Sequence, residues 1–487
     1  MVGPQVCVTV TGATTRELRA ARDGATDADL VELRLDGARE IDIAGVLAGR
    51  CLPVVVTCRT ERDGGRYAGG EEDRRRWLLE ALACGAEYVD VEWDAGYRRD
   101  LVAAHGARVV LSLHDVDGMP RELEARYRAM RSTGAAVVKI AARARRLSDL
   151  LPLARLGEQV RRAGERAVLI GMGNAGVPSR VLAARFGSCW SYAGSAASGQ
   201  IDAPRLVHEF RIRRLSASSE LYGVVGNPIM HSLSPSMHNA LFQQMDRDAV
   251  YLPLEGADAE DCVTFADAFG VSGLSVTAPF KEALVKRAQE LEPVAARVGA
   301  VNTLRRCEAG WAGMNSDVAG FLDPLSGRLE LAGMRAAVVG AGGAARAVCV
   351  ALSGVGAEVT VYARDLERAR NAAAGTASRA GVLPPPGGSW DLLVNATPVG
   401  TAPQRDATPV AASALTGRFV YDLVYTPAET RLLREARAAG CETLGGLEML
   451  VAQACGQFEW WTGQRPDRSV VREAALARLA ATEEAAA

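Results

Sequence analysis

The sequence predicts an α/β protein in two halves: an N-terminal (β/α)8 TIM barrel, then two smaller α/β domains, one of them a Rossmann-type nucleotide-binding domain. Three observations carry this. Eight short β-rich runs alternate with amphipathic segments between residue 6 and about 195, the rhythm of a closed parallel barrel. MRAAVVGAGGAARAVCVAL at 334–352 has the form strand, glycine turn, helix that opens a dinucleotide-binding sheet. The length of 487 residues, at about 150 per domain, corresponds to roughly three domains.

The barrel runs are VCVTV (6–10), ADLVELRLD (28–36), PVVVTCR (53–59), YVDVEWD (88–94), RVVLSLHD (108–115), AAVVKIA (135–141), AVLIGMG (167–173) and SCWSYAG (188–194). Glu32, Arg34, Arg59, His114, Lys139 and Arg180 are placed late in these runs, at the C-terminal rim that carries chemistry in such barrels. RIRRLSASSE (211–220) is expected to be a linker, or a terminal helix joined to one. The αβ pattern restarts at LYGVVGNP, with GLSVTAPF (273–280) as its next strand. EVTVYAR (358–364), DLLVNATP (391–398) and FVYDLVY (419–425) continue the parallel sheet, and Pro384–Gly388 marks a loop inside it. From Gly446 a helical segment returns to the middle domain, and the alanine-rich tail after about 473 is expected to fray. The predicted domains are therefore 1–215, a linker at 216–220, 221–330 completed by 446–487, and 331–445.

Composition narrows the function classes. Lys and Arg total 56 against 58 for Asp and Glu, a net charge of −2, without the basic excess of a general nucleic-acid binder. Hydrophobic residues at 48% and charged ones at 23% suit a soluble protein with full-sized cores. No stretch of about 20 uncharged apolar residues exists, so no transmembrane helix is expected. MVGPQVCVTVTG lacks the basic-then-apolar order of a signal peptide. Ten scattered cysteines form no C-x-x-C and no Cys/His cluster, so neither a zinc site nor a disulfide framework is expected, and a reducing cytoplasm fits best.

Only three of the 56 basic residues are lysines: Lys139, Lys281 and Lys286. Arg keeps its proton in proteins, whereas Lys loses one when desolvated or crowded by charge. The surviving lysines are therefore candidates for amine chemistry, against the plain alternative of chance survivors on the surface. Lys139 lies inside AAVVKIAA, a buried parallel strand by pattern. It needs a partner such as Glu32 or a lowered proton affinity, and an amine of the second kind is a nucleophile toward ketones. His114 ends the preceding strand. Alone such a histidine is usually a satisfied hydrogen-bonder; beside Lys139 it is placed to move protons.

In the second half, Gly340-Ala-Gly-Gly-Ala-Ala345 fits G-x-G-x-x-A, with Gly340, Gly342, Gly343 and Ala344 placed to let backbone and helix N-terminus meet a pyrophosphate. The next strand ends in Arg364-Asp365: Arg favours the 2′-phosphate of NADP, Asp the free ribose hydroxyl of NAD. Lys281 follows a Thr-Ala-Pro-Phe turn, Asp317 sits in GMNSDVAGF, and Asn302 lies between them. A Lys/Asp pair can exchange a proton with an alcohol while hydride moves to nicotinamide. An ordinary surface ion pair is the expectation for Lys286.

VELRLD, TCRTERDGG, LSLHD, VVKIA, VPSRVLAARFGS and SGQI resemble, in order, the type I 3-dehydroquinate dehydratases over almost all of residues 1–215. That resemblance implies an imine between Lys139 and the substrate ketone, with His114 as base and then as acid for the departing water. It implies Arg180 on the substrate carboxylate, with Glu32, Arg34, Arg59, Ser198 and Gln200 lining the pocket. Two departures stand out. Asp63 replaces the family's glutamate partner of the histidine, and the loop reads Ala196-Ala197-Ser198-Gly199-Gln200 in place of S-A-P-G-Q, leaving Ser195 or Ser198 to compensate for the lost serine.

GNPIMHSLSPSMHNALF, SVTAPFKE, GAVNTL, GMNSDVAGF, GAGGAA, NATPVG, DLVYTPAET and GGLEMLVAQACGQFEWWTG resemble the shikimate dehydrogenases over about 221–465. This implies Ser232 and Ser234 on the substrate carboxylate, and Thr277, Asn302, Asp317 and Gln453 on its hydroxyls. Lys281 and Asp317 become the catalytic pair, Tyr425 and Gln457 pocket residues, and Asn395, Thr397 and Gly446 part of the NADP(H) cleft. Ser275, where many members have Asn, is shared with the bifunctional plant enzymes. The two resemblances together imply dehydration of 3-dehydroquinate followed by reduction of 3-dehydroshikimate with NADPH. The alternatives are a quinate-preferring dehydrogenase using NAD and a non-catalytic metabolite sensor.

Overall fold

The computed structural model describes residues 3–39 and 41–484; the end of the predicted tail, 485–487, lies outside them. All eight barrel strands form: β1 (Gln5–Thr11), β2 (Leu30–Arg34), β3 (Val54–Thr57), β4 (Tyr88–Glu92), β5 (Val109–Asp115), β6 (Val137–Arg143), β7 (Ala167–Met172) and β8 (Trp190–Ala193). They pair in parallel in the order β7-β6-β5-β4-β3-β2-β1-β8. A single bridge between Ala167 and Ser188 meets the remaining seam, so the barrel is nearly closed. Its interior holds Cys7, Leu30, Val55, Val110, Val137, Val168, Trp190 and Tyr192, most of them β-branched or aromatic, as suits strands buried on both faces. The β5–β6 register sets Ser112 opposite Lys139 and His114 opposite Ala141. Since alternate residues share a face, Ser112 and His114 both point the way Lys139 does.

One expected placement is corrected: Arg180 lies on the short helix Val177–Val181 after β7, not at a strand end. From 211 to 219 the chain runs through turns with neither helix nor strand, and Arg211, buried with φ of +53°, donates to the Ala249 carbonyl at 3.1 Å.

By packing the chain forms two compact units, the first Met1–Leu221 with Asn227–Met230 and Asp248–Gly270, the second everything else. In the first unit, β9 (Glu220–Gly226) only begins, whereas β10 (Ala249–Glu255) and the helix Ala259–Phe269 lie wholly inside it. That helix is anchored by Asp261, which accepts from the Leu147 and Ser148 amides at 2.9 Å each.

In the second unit a mixed sheet contains, in order, β9, β11 (Val271–Val276), β13 (Thr303–Cys307), β14 (Gly310–Met314) and β12 (Glu290–Leu291). A wholly parallel sheet follows: β15 (Arg335–Val339), β16 (Glu358–Ala363), β17 (Arg379–Val382), β18 (Leu392–Asn395), β19 (Phe419–Asp422) and β20 (Glu442–Gly445), ordered β17-β16-β15-β18-β19-β20. The order reverses between β15 and β18, the switch point where such sheets bind ligands. As far as Glu484 the tail is ordered as a helix, Arg468–Glu484, burying Val471, Ala475 and Leu479 at four-residue spacing.

Candidate active sites

In the barrel, Lys139 is 5% exposed. Its ammonium lies 3.1 Å from Asp90 Oδ2, 3.5 Å from Glu32 Oε1 and 4.1 Å from the centroid of the Tyr192 ring. Glu32 accepts from Thr9 at 2.9 Å and Thr57 at 3.0 Å. Asp90 also meets Arg59 at 2.8 Å and accepts from Ser112 at 2.5 Å. Desolvation alone would raise the Asp90 carboxyl, but Arg59 and then Lys139 hold it well below the usual range. His114 is the opposite case. Burial, reinforced by the positive charges of Arg59 and Lys139, holds its imidazole well below 6.5, and its Nδ1 has no hydrogen-bond partner. A neutral imidazole beside a lysine is placed to accept a proton.

Arg180 is buried and has no carboxylate partner among the described residues; burial pulls it down to about 10, still fully charged at neutral pH. Its Nη atoms reach only the Tyr192 and Ser198 carbonyls, both at 3.5 Å, and Nε has no partner. A desolvated cation so weakly satisfied is ready for an anion. Gln200 staples the loop, accepting from the Ala197 amide at 2.9 Å and donating to Thr9 at 3.3 Å. Arg34 forms a fork with Asp36 at 2.7 and 2.9 Å. Asp63 does not partner His114: its carboxylate accepts from Thr60 at 2.5 Å.

The second site surrounds Asp317, the first residue of the helix Asp317–Leu322 and 1% exposed. Lys281 Nζ is 2.6 Å from its Oδ2, while Asn302 Nδ2 at 2.7 Å and Gln453 Nε2 both donate to Oδ1. Gln457, one turn along from Gln453, is buried within the protein framework: it accepts from Ser275 at 2.8 Å and donates to Thr303 and the Asn302 carbonyl. Ser232 accepts from the Ser234 amide at 3.2 Å, and Thr277 and Tyr425 are half-buried. Lys286 is exposed with no ion-pair partner among the described residues, contrary to the expected surface pair.

At the switch point the glycine turn follows β15. Gly340 has φ of +123°, and a Cβ there would lie 2.9 Å from the Ala396 carbonyl oxygen. A Cβ on Gly342 would meet nothing within 4 Å, and the helix Gly343–Gly354 begins with no side-chain cap, leaving its first amides free for a phosphate. The residues present thus fit a dinucleotide. Asn395 is fully buried and shapes this cleft from behind, donating to Asp422 at 2.9 Å and accepting from Thr397 at 2.7 Å. Gly446 brings its helix against the end of β19, where a Cβ would lie 2.2 Å from the Leu423 carbonyl. Arg364 is exposed; Asp365 instead caps the helix Leu366–Ala373, accepting from the Glu367 amide at 2.9 Å.

Residues 6–216 match the family model of type I 3-dehydroquinase, 224–304 that of the shikimate dehydrogenase substrate-binding domain, and 446–476 that of the shikimate 5′-dehydrogenase C-terminal domain. The chloroplastic bifunctional 3-dehydroquinate dehydratase/shikimate dehydrogenase of Arabidopsis thaliana is 33% identical, covering 90% of this chain and 78% of its own. The chain belongs to this bifunctional family. The NADP(+) shikimate dehydrogenase of Archaeoglobus fulgidus is 44% identical over 53% of this chain and 98% of its own. A crystal structure of a shikimate dehydrogenase with NADP+ superposes with a TM-score of 0.51 at 32% identity, covering 54% of this chain and 97% of that one. Among the described residues no helix is long and apolar enough to cross a membrane.

Several residues that this bifunctional family member gathers around Lys139 and Arg59 carry little sign of it in the sequence. Asp90 and Glu92 are two apart on β4, hence on one face, and the D-x-E spacing inside YVDVEWD was the available signal. Ser112 and Tyr192 carried none, since a serine or tyrosine in a strand does not announce its direction. Around Asp317, Ser316 is the added member, accepting from Asn302 at 2.9 Å.

Proposed function

We propose that the first half dehydrates 3-dehydroquinate through an imine on Lys139 and that the second half, 221–330 with 446–487 around a nucleotide domain at 331–445, reduces the resulting 3-dehydroshikimate to shikimate. The observation that carries this is the buried Lys139 set between two carboxylates, beside a neutral His114 and an anion-ready Arg180. Arg180 takes the substrate carboxylate and holds the ring still. The Lys139 amine attacks the ketone and water leaves, forming the imine, whose positive charge acidifies the adjacent C–H. His114 removes that proton and returns it to the hydroxyl leaving as water. Hydrolysis of the imine then frees the lysine. Glu32 and Asp90 stabilise cationic states of the nitrogen along this path.

In the second site Ser232 and Ser234 take the substrate carboxylate, while Asn302, Gln453 and Thr277 orient the ring hydroxyls. Lys281, 2.6 Å from Asp317, delivers a proton to the carbonyl oxygen as it becomes an alcohol, and Asp317 keeps the amine aimed. NADPH would supply the hydride when bound, with the Gly340–Ala344 turn holding its pyrophosphate and Arg364 its 2′-phosphate. Ten free cysteines and balanced charge support a reducing cytoplasm and small-molecule partners, without nucleic acid.

One coupled assay tests the reading: 3-dehydroquinate with NADPH, following nicotinamide absorbance. Oxidation that depends on 3-dehydroquinate is expected. Lys139→Ala should abolish both this signal and borohydride trapping with 3-dehydroshikimate, yet leave shikimate oxidation intact; continued trapping refutes the lysine's role. A higher kcat/KM for quinate with NAD would favour the quinate reading, and silence with every substrate the sensor.

A further inference from the structure

The charges in the barrel do not stop at the active-site lysine. From Lys139 an alternating series runs outward: Asp90 at 3.1 Å, Arg59 at 2.8 Å from Asp90, Glu92 at 2.9 Å from Arg59, then Arg74 against Glu92 and Glu71 at 2.5 Å from Arg74. Every side chain through Arg74 is at most 6% exposed; Glu71, at 52%, ends the series in water. Asp90 and Glu92 stand on β4, and Arg74 on the helix Glu71–Ala83. Arg74 is held there by the Cys58 carbonyl at 3.1 Å and by the Tyr97 ring.

Burying an ion pair costs several kcal/mol per ion, and an apolar pair of similar volume is often as stable. Stability therefore does not explain Glu92 and Arg74, which stand beyond Asp90 and Arg59 in the series leading from Lys139. Their reach does. Glu92 engages Arg59 through Nη1, while Nη2 turns to Asp90, the carboxylate nearest Lys139.

We propose that Glu92 and Arg74 are positioning residues for the dehydratase, acting through Arg59 and Asp90 to set the electrostatic field at Lys139 and hence the pH at which imine forms. The proposal rests on the imine reading of Lys139. The other groups facing the lysine are Cys7 on β1, Glu32 on β2, His114 on β5 and Tyr192 on β8; Glu92 itself faces Arg59, Asp90, Arg74 and Tyr97. None of these need change for the field to change. Glu92→Gln removes a negative charge, so the protonated amine is held less tightly. Arg74→Gln removes a positive one and acts in reverse.

The test is borohydride trapping of the full-length chain with 3-dehydroshikimate across the pH range, read as adduct on the Lys139 peptide by mass spectrometry. In Glu92→Gln the acid limb of trapping should move to lower pH, and in Arg74→Gln to higher pH, each by about one unit or less for one charge at such range and dielectric. Glu92→Asp, which keeps the charge, should stay near the wild-type limb. Displacements in the same direction, or none, overturn the proposal, because a purely structural role lowers the amplitude without opposed shifts. If Glu92→Gln does not fold, the upward shift of Arg74→Gln with an unmoved Glu92→Asp decides. Wild-type protein that forms no adduct fails one step earlier: it removes the imine reading, and this proposal with it.

Discussion

Asp63 and Lys281 separate geometry from resemblance at the scale of single residues. The family pattern assigns Asp63 to His114, yet its carboxylate is engaged by Thr60 and the imidazole Nδ1 is left without a partner. Asp63→Ala should therefore lower dehydratase kcat/KM by less than about 10-fold, whereas His114→Ala should lose the roughly 10²–10⁴-fold of a general base. A large loss in Asp63→Ala, measured with 3-dehydroquinate, would mean that the carboxylate swings onto the histidine during turnover. Lys281→Ala should lower dehydrogenase kcat by a similar factor, with NADP affinity, read by fluorescence titration, within about 2-fold. Lys139 and His114 were legible because a lysine inside an apolar strand pattern is an anomaly. The direction of Asp63 was not, since one methylene decides whether the carboxylate reaches across the rim or folds back onto its own turn.

At the scale of elements, the proposed preference for NADPH rests on the end of one strand and the start of one helix. Asp365 caps the helix Leu366–Ala373 and is thereby engaged, while Arg364 faces solvent. Arg364→Ala should lower kcat/KM for NADPH about 10-fold and leave NADH nearly unchanged; equal losses with both would place the 2′-phosphate elsewhere. Asp365→Ala should destabilise the protein by about 1 kcal/mol through the lost cap, measured by urea unfolding. A motif places an acidic residue where NAD would need one, but does not show that the carboxylate also accepts from helix amides. Edge strands β17 and β20 have no legible pattern either: RAGV and ETLG are short and glycine-containing, too brief for a period to show. The tail is the opposite case. Its alanines suggested fraying, but Val471, Ala475 and Leu479 already spelled out an apolar stripe.

Across the whole molecule, two buried neutral histidines make stability depend on acid. Burial pulls His238 down to about 3 and His114 well below its usual value. The unfolded chain takes up these protons below about pH 6.5, whereas the folded chain does not. Stability is thus complete above that pH and falls on acidification, by up to about 1.4 kcal/mol per pH unit for each histidine. The urea midpoint should drop between about pH 6.5 and 5, and His238→Phe, which keeps a ring between stacked Phe458 and tilted Trp461, should flatten that slope. An unchanged slope would mean that the histidine is protonated in the fold. The scarcity of lysine has a further use at this scale. Lys286 is exposed, Lys281 has a side chain 21% exposed, and Lys139 is sealed at 6%. An acylating reagent should therefore label them in that order, and slowing at either of the last two would report, in one mass spectrum, which half of the enzyme holds its ligand.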